Sequence, residues 1–230
     1  MMIKKRRVLS YIDVVILTFI LFGQAIYNST ITYVGLMDET TSVFETTSFS
    51  TKDNYYAFIT QFVFLFVAFL YLRARKFDFS VWNININLSS FGKGVLLFLL
   101  LALCMDGFNS ACFSITQLLF PSSVGKILGC FNFSVVIYAI LNGFYEEIYF
   151  LGICTCVDQK RLKYLIPFSM IVRFSFHTYQ GIISALGLGF VLGGLIYFLY
   201  SRSKTKNLFP FFVAHTFADI LGLGIVYYLF

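Results

Sequence analysis

Long apolar runs separated by short polar, mostly basic segments recur along the whole chain. The runs cover roughly residues 8–27, 55–72, 94–120 and 132–157, then 164–180, 182–200 and 208–230. A helix needs about 17 or more apolar residues to cross the hydrocarbon core of a bilayer, and the fifth and sixth runs stand nearest that limit. The pattern predicts an all-α polytopic membrane protein with about seven transmembrane helices. No internal repeat stands out. The segment "KFDFSVWNININLSS" is expected to lie at a membrane interface, where Trp82 is favoured, rather than in a sheet. There the chain divides into residues 1–93, with two helices and an interfacial linker, and 94–230, with the remaining helices. Pro167 and Pro210 are expected near helix starts and Gly181 at a helix end. Gly187, Gly189, Gly193 and Gly194 are expected to allow close helix packing.

Composition supports this reading. The 230 residues are 59% hydrophobic and 12% charged, with mean hydropathy +0.82, whereas soluble domains carry roughly a quarter charged residues. The net charge of +6 reflects topology rather than nucleic-acid binding. Lys4, Lys5, Arg6 and Arg7 precede the first run, and Arg73, Arg75, Lys76 and Lys93 lie between the second and third. Lys160, Arg161 and Lys163 follow the fourth run, and Arg202, Lys204 and Lys206 follow the sixth. The opposite loops hold only Lys52 and Lys126, so the positive-inside rule places the N-terminus in the cytoplasm and Phe230 outside. The first run keeps Asp13 and lacks a small-residue cleavage site, so it reads as a retained helix rather than a signal peptide. The five cysteines lie mostly inside helices without metal-type spacing and read as packing residues. Asp13 and Asp106 read as capping or pairing residues. A Phe-, Tyr-, Ile- and Asn-rich usage points to an AT-rich genome, and with the small size to a bacterial plasma membrane.

The candidate chemistry lies in the last four helices. They contain Glu146, Glu147, Arg173, His177, His215 and Asp219, including both histidines of the chain. Arg173 and His177 are four residues apart, as are His215 and Asp219, so each pair shares a helix face. Counted from the basic ends, Glu146 and His177 lie roughly 20 Å deep and His215 roughly 14 Å, at about 1.5 Å per residue. All three can reach one cavity opening to the cytoplasm. A carboxylate beside a neutral imidazole can deprotonate a water, and a second imidazole can donate to a developing oxyanion. Two adjacent helical glutamates point about 100° apart, so one faces the water and the other orients a partner. There is no "HExxH" and no "GxSxG". The same groups can also serve a proton- or ion-coupled transporter. Two Glu and two His can hold Zn²⁺, but hydrolysis by activated water requires no cofactor.

Three segments, "EEIYFLG", "RFSFHTYQG" and "FPFFVAHTFAD", resemble in order and setting the three motifs of the CPBP intramembrane proteases. That family includes the CAAX prenyl-protein endopeptidases and the bacteriocin-processing and immunity (Abi-type) proteins. Its patterns are Glu-Glu-x-x-x-Arg, Phe-x-x-x-His, and His-x-x-x-Asn or -Asp. The resemblance implies a protease core in residues 94–230, within the last four or five helices. It implies that Glu146 and His177 activate water, that Glu147 supports that pair or the fold of the site, and that His215 and Asp219 form or orient the oxyanion site. An ionised Asp219 cannot donate a hydrogen bond, which favours it as the group fixing the His215 tautomer. Two departures stand out: Leu151 replaces the motif arginine, and Arg173 replaces the phenylalanine four residues before His177. Arg173 is a candidate source of the missing guanidinium. The expected substrate is a peptide or membrane-associated protein, such as a leader, pheromone or bacteriocin precursor. The alternative is a catalytically silent relative acting in bacteriocin immunity or regulation.

Overall fold

The computed structural model describes residues 7–37, 50–119 and 132–224. Lys4, Lys5, Arg6, Lys126, Cys130 and Phe230 therefore lie outside the described residues. Seven helices follow one another among those described: α1 (Tyr11–Met37), α2 (Thr51–Ala74), α3 (Leu88–Leu119), α4 (Phe133–Ile153), α5 (Gln159–His177), α6 (Ile182–Arg202) and α7 (Phe209–Leu221). The fold is an all-α polytopic membrane fold. Five helices, α1 to α4 and α6, are long and apolar enough to cross a membrane. Helix α5 opens on Gln159, Lys160 and Arg161, and α7 has only 13 residues, so these two fall outside that group.

Local chemistry sets the helix starts. Ser50 and Asp53 form a reciprocal capping box at α2, with backbone-to-side-chain bonds of 3.0 and 3.2 Å. Ser10 and Asp13 repeat the arrangement at α1, and Asp13 also accepts from Tyr71 of α2 and from Arg75, which caps its end, both at 2.7 Å. Asp13 is thus a capping and pairing residue, as expected. Pro210 lies in the first turn of α7. Pro167, expected at a helix start, instead sits inside α5. Helix α5 begins earlier than its apolar run, because Asp158 caps the polar first turn through the Lys160 amide at 3.0 Å. Gly181, at φ 89°, ends the short 3₁₀ turn Thr178–Gln180 that follows α5. Trp82 is half-buried, donates to the Gly152 carbonyl at 2.9 Å and packs against Phe77 and Phe79, outside any sheet.

Helix α4 belongs to two apolar cores. Tyr145, Tyr149, Phe150 and Ile153 join α1, α2 and α5 in one. Ile148 and Leu151 join α3, α6 and α7 in the other. Two-thirds of the α4 span is buried inside the protein, against 11% for α2, so polar groups on α4 face protein rather than lipid. Its last stretch, Ile148–Ile153, is wound as π-helix beginning at the residue after Glu147. A second π stretch, Gly187–Leu192, packs α6 against α5. Such wide turns are uncommon and recur at functional sites.

Two glycines set close helix approaches around the site. A Cβ at Gly143 would stand 2.8 Å from the Phe212 carbonyl oxygen of α7, and one at Gly189 would stand 2.7 Å from the Phe174 Cα of α5. Gly187 is similarly tight, whereas Gly193 and Gly194 have room for a methyl group. Gly143→Ala and Gly189→Ala are each expected to destabilise the protein by about 1–3 kcal/mol through overpacking, read as a lower unfolding midpoint in detergent. Gly107→Ala, with nothing within 4 Å, is expected to be neutral or stabilising by up to about 1 kcal/mol. Equal midpoints for all three variants would contradict this account.

Candidate active site

Helices α4, α5 and α7 each contribute acidic, basic or imidazole groups to one cluster. On α4, Asn142 and Glu146 are four residues apart and share a face, while Glu147 points about 100° away. Glu147 Oε1 accepts from Arg173 Nη2 of α5 at 2.6 Å and from His215 Nδ1 of α7 at 2.8 Å. Glu147 is 1% exposed and Arg173 5%, so this pair is cut off from solvent. The Arg173 guanidinium also lies over the Phe150 ring, 4.1 Å from its centroid. An oxygen that already accepts from a guanidinium is an acceptor toward His215 as well, so the proton of that contact belongs to Nδ1.

The other imidazole nitrogen faces two acids. His215 Nε2 lies 3.6 Å from Glu146 Oε2 and 3.7 Å from Asp219 Oδ1. The remaining carboxylate oxygens bind one amide: Asn142 Nδ2 donates to Glu146 Oε1 at 3.2 Å and to Asp219 Oδ2 at 2.8 Å. Gln61 Nε2, from α2, donates to Asn142 Oδ1 at 2.6 Å. Side-chain exposure rises from Glu147 at 1% through His215 at 13% to Asp219 at 24%. The cluster is therefore sealed at its Glu147–Arg173 end and opens toward Asp219. Glu146 Oε2 and Glu147 Oε2 are buried without a hydrogen-bond partner among the described residues.

Glu146, Glu147, Arg173, His215 and Asp219 thus come together, and the close partner of His215 Nδ1 is Glu147 where Asp219 was expected. An i,i+4 spacing places Asp219 beside the ring, but on the Nε2 side. His177 lies one turn beyond Arg173, and its Nδ1 is 2.8 Å from the Arg173 carbonyl. A carbonyl can only accept, so Nδ1 carries the proton, and Nε2 of the neutral ring is the acceptor. Leu151 is buried and lines a small cavity together with Arg173, Phe150, Ser169 and Met170. The position of the missing motif arginine therefore adjoins the arginine that α5 supplies. Among the described residues no group of three or more His, Cys, Asp or Glu is arranged to hold a metal ion.

Sequence reasoning missed Asn142 and Gln61. Their signal is present: Asn142 precedes Glu146 by one helical turn, and Gln61 is an amide inside an apolar run. Neither carries a charge, so neither stands out as a hydrophilic anomaly.

No curated protein and no solved structure matches the chain. Residues 129–221 match the family model described as type II CAAX prenyl endopeptidase Rce1-like, a region that holds α4 to α7 and every acidic, basic and imidazole group of the cluster. Over those residues the chain carries a domain of the CPBP/CAAX protease family.

Proposed function

We propose that this protein is an intramembrane endopeptidase that hydrolyses a peptide bond with water activated by Glu146 and His177. Its substrate is a peptide precursor, such as a leader, pheromone or bacteriocin, at a bacterial plasma membrane. The basic loops favour a cytoplasmic N-terminus and an outside C-terminus, with residues 94–230 as the catalytic core and 1–93 as its N-terminal part. The observation that carries the reading is Glu146 Oε2: buried, unpartnered among the described residues, and 3.6 Å from His215 Nε2. Two polar atoms at that separation can both bind one water at hydrogen-bond distance.

In this reading Glu146 takes a proton from the water as its oxygen attacks the peptide carbonyl, and His177 Nε2 is the second acceptor. His215, protonated at Nε2, donates to the carbonyl oxygen as negative charge develops there. Glu147 holds the ring in position through Nδ1, and Arg173 keeps Glu147 ionised and fixed. The proton returns from Glu146 to the leaving amine. No cofactor is required. A second reading, a catalytically silent relative acting in immunity or regulation, is favoured by Leu151 at the motif arginine position.

Glu146→Gln is expected to remove at least about 10²-fold of the cleavage rate while the unfolding midpoint stays near wild type. Profiling a peptide library with wild type and variant checks this, and equal cleavage by the two would overturn the hydrolase reading. Arg173→Ala leaves a buried carboxylate without its guanidinium and is expected to cost about 3–5 kcal/mol of stability together with activity. Arg173→Ala combined with Leu151→Arg restores a guanidinium to the shared cavity and is expected to regain part of both. Wild-type turnover in Arg173→Ala would show that the guanidinium has no part in the site.

A further inference from the structure

Helix α2 lies outside the matched residues 129–221 and is largely exposed, with only Asn54, Ala68 and Leu72 buried. It nonetheless makes polar contacts in step along α4. Asn132, the α4 cap, donates to Thr51, Asn54 donates to Ser134 at 3.1 Å, and Gln61 donates to Asn142 at 2.6 Å. The last contact ends at the site. Two carboxylate oxygens face one end of the Asn142 amide, which must therefore be its NH₂ end. Its oxygen then faces Gln61, which must present its own NH₂ group.

The two carboxylates are held in the same manner. Each gives one oxygen to Asn142, and each turns the other toward His215 Nε2: Glu146 Oε2 at 3.6 Å and Asp219 Oδ1 at 3.7 Å. One amide thereby fixes the direction of both acids, and Gln61 satisfies the remaining oxygen of that amide. We propose that Gln61 and Asn142 form a positioning pair that aims Glu146 and Asp219 at the His215 side of the reacting space, which makes α2 part of the catalytic apparatus. The inference rests on the hydrolase reading above. Gln61 acts only through Asn142, and neither residue takes up a proton in the reaction.

The test is a double-mutant cycle in the full-length protein in detergent, using an internally quenched peptide that wild type cleaves, with Glu146→Gln as the control. Gln61→Met keeps side-chain length without the donor and is expected to lower kcat about tenfold, the worth of one hydrogen bond in a charged network, with KM within about threefold. Asn142→Leu is expected to lower kcat further. The double variant should match Asn142→Leu alone, because the effect of Gln61 passes through Asn142. Carboxyl infrared bands, identified with Glu146→Gln and Asp219→Asn, should shift in both single variants, a readout independent of turnover. Wild-type kcat and unshifted bands in Gln61→Met, with Glu146→Gln still inactive, would overturn the positioning role and leave the hydrolase reading standing. Additive losses in the double variant would likewise overturn a role exerted through Asn142. Equal cleavage by wild type and Glu146→Gln would remove both readings together.

Discussion

One carboxylate oxygen ties three helices together. Glu147 Oε1 accepts from Arg173 of α5 and His215 of α7 while belonging to α4. Taking an ionised carboxylate and a guanidinium out of water costs several kcal/mol each, and their attraction offsets this only with good geometry and further hydrogen bonds. The second donor, His215, supplies that. The position of α4 makes the arrangement tolerable, since this helix is buried between two apolar cores and turns its acids toward protein rather than lipid. The close approach of α4 to α7 at Gly143 follows from the same need. Short contacts among α4, α5 and α7 require backbones that lie near one another.

The parts of this site that were legible in the sequence are those that are costly in a membrane. Glu146, Glu147, Arg173, His215 and Asp219 stand out because charged or imidazole groups are rare in apolar helices; His177 stands out for the same reason, but its hydrogen bond is to the Arg173 carbonyl rather than to these acids. The seven-helix all-α pattern was legible for the same solvent reason. Helix rotation was not, and it decides which nitrogen of His215 meets which acid; spacing set Asp219 beside the ring without saying on which side. Asn142 and Gln61 were hidden because an uncharged amide in an apolar run costs less than a charge and resembles many others. Pro167 was misplaced because the apolar run marks where α5 becomes buried, whereas Asp158 marks where it begins.

The exchange of Arg for Leu at position 151 bears on whether such a cluster belongs to a working enzyme. A buried ion pair is weak evidence of stabilisation, since well-packed apolar side chains of similar volume often serve stability as well or better. A purely structural helix junction at this place has no physical need for three acids around one imidazole. Leu151 fills the apolar core on one side of α4, while Arg173 approaches Glu147 from α5 along the cavity the two residues share. With Leu151 at the motif position, Glu147 still has a guanidinium against it. That guanidinium comes from α5, which couples α5 to the cluster.

The adjacency of the two glutamates follows from the same geometry. Residues next to each other on a helix diverge by about 100°, which ordinarily keeps them from sharing a partner. Here they reach one imidazole from its two sides, Glu147 at Nδ1 and Glu146 toward Nε2. The first contact is short and shared with a guanidinium, so it holds the ring. The second is long, and its oxygen, like Glu147 Oε2, has no hydrogen-bond partner among the described residues; in the proposed hydrolase it is the oxygen that meets the reacting molecule. Two neighbouring positions on one helix thus set both acids against the same ring, and in the proposed hydrolase this separates the holding from the reacting.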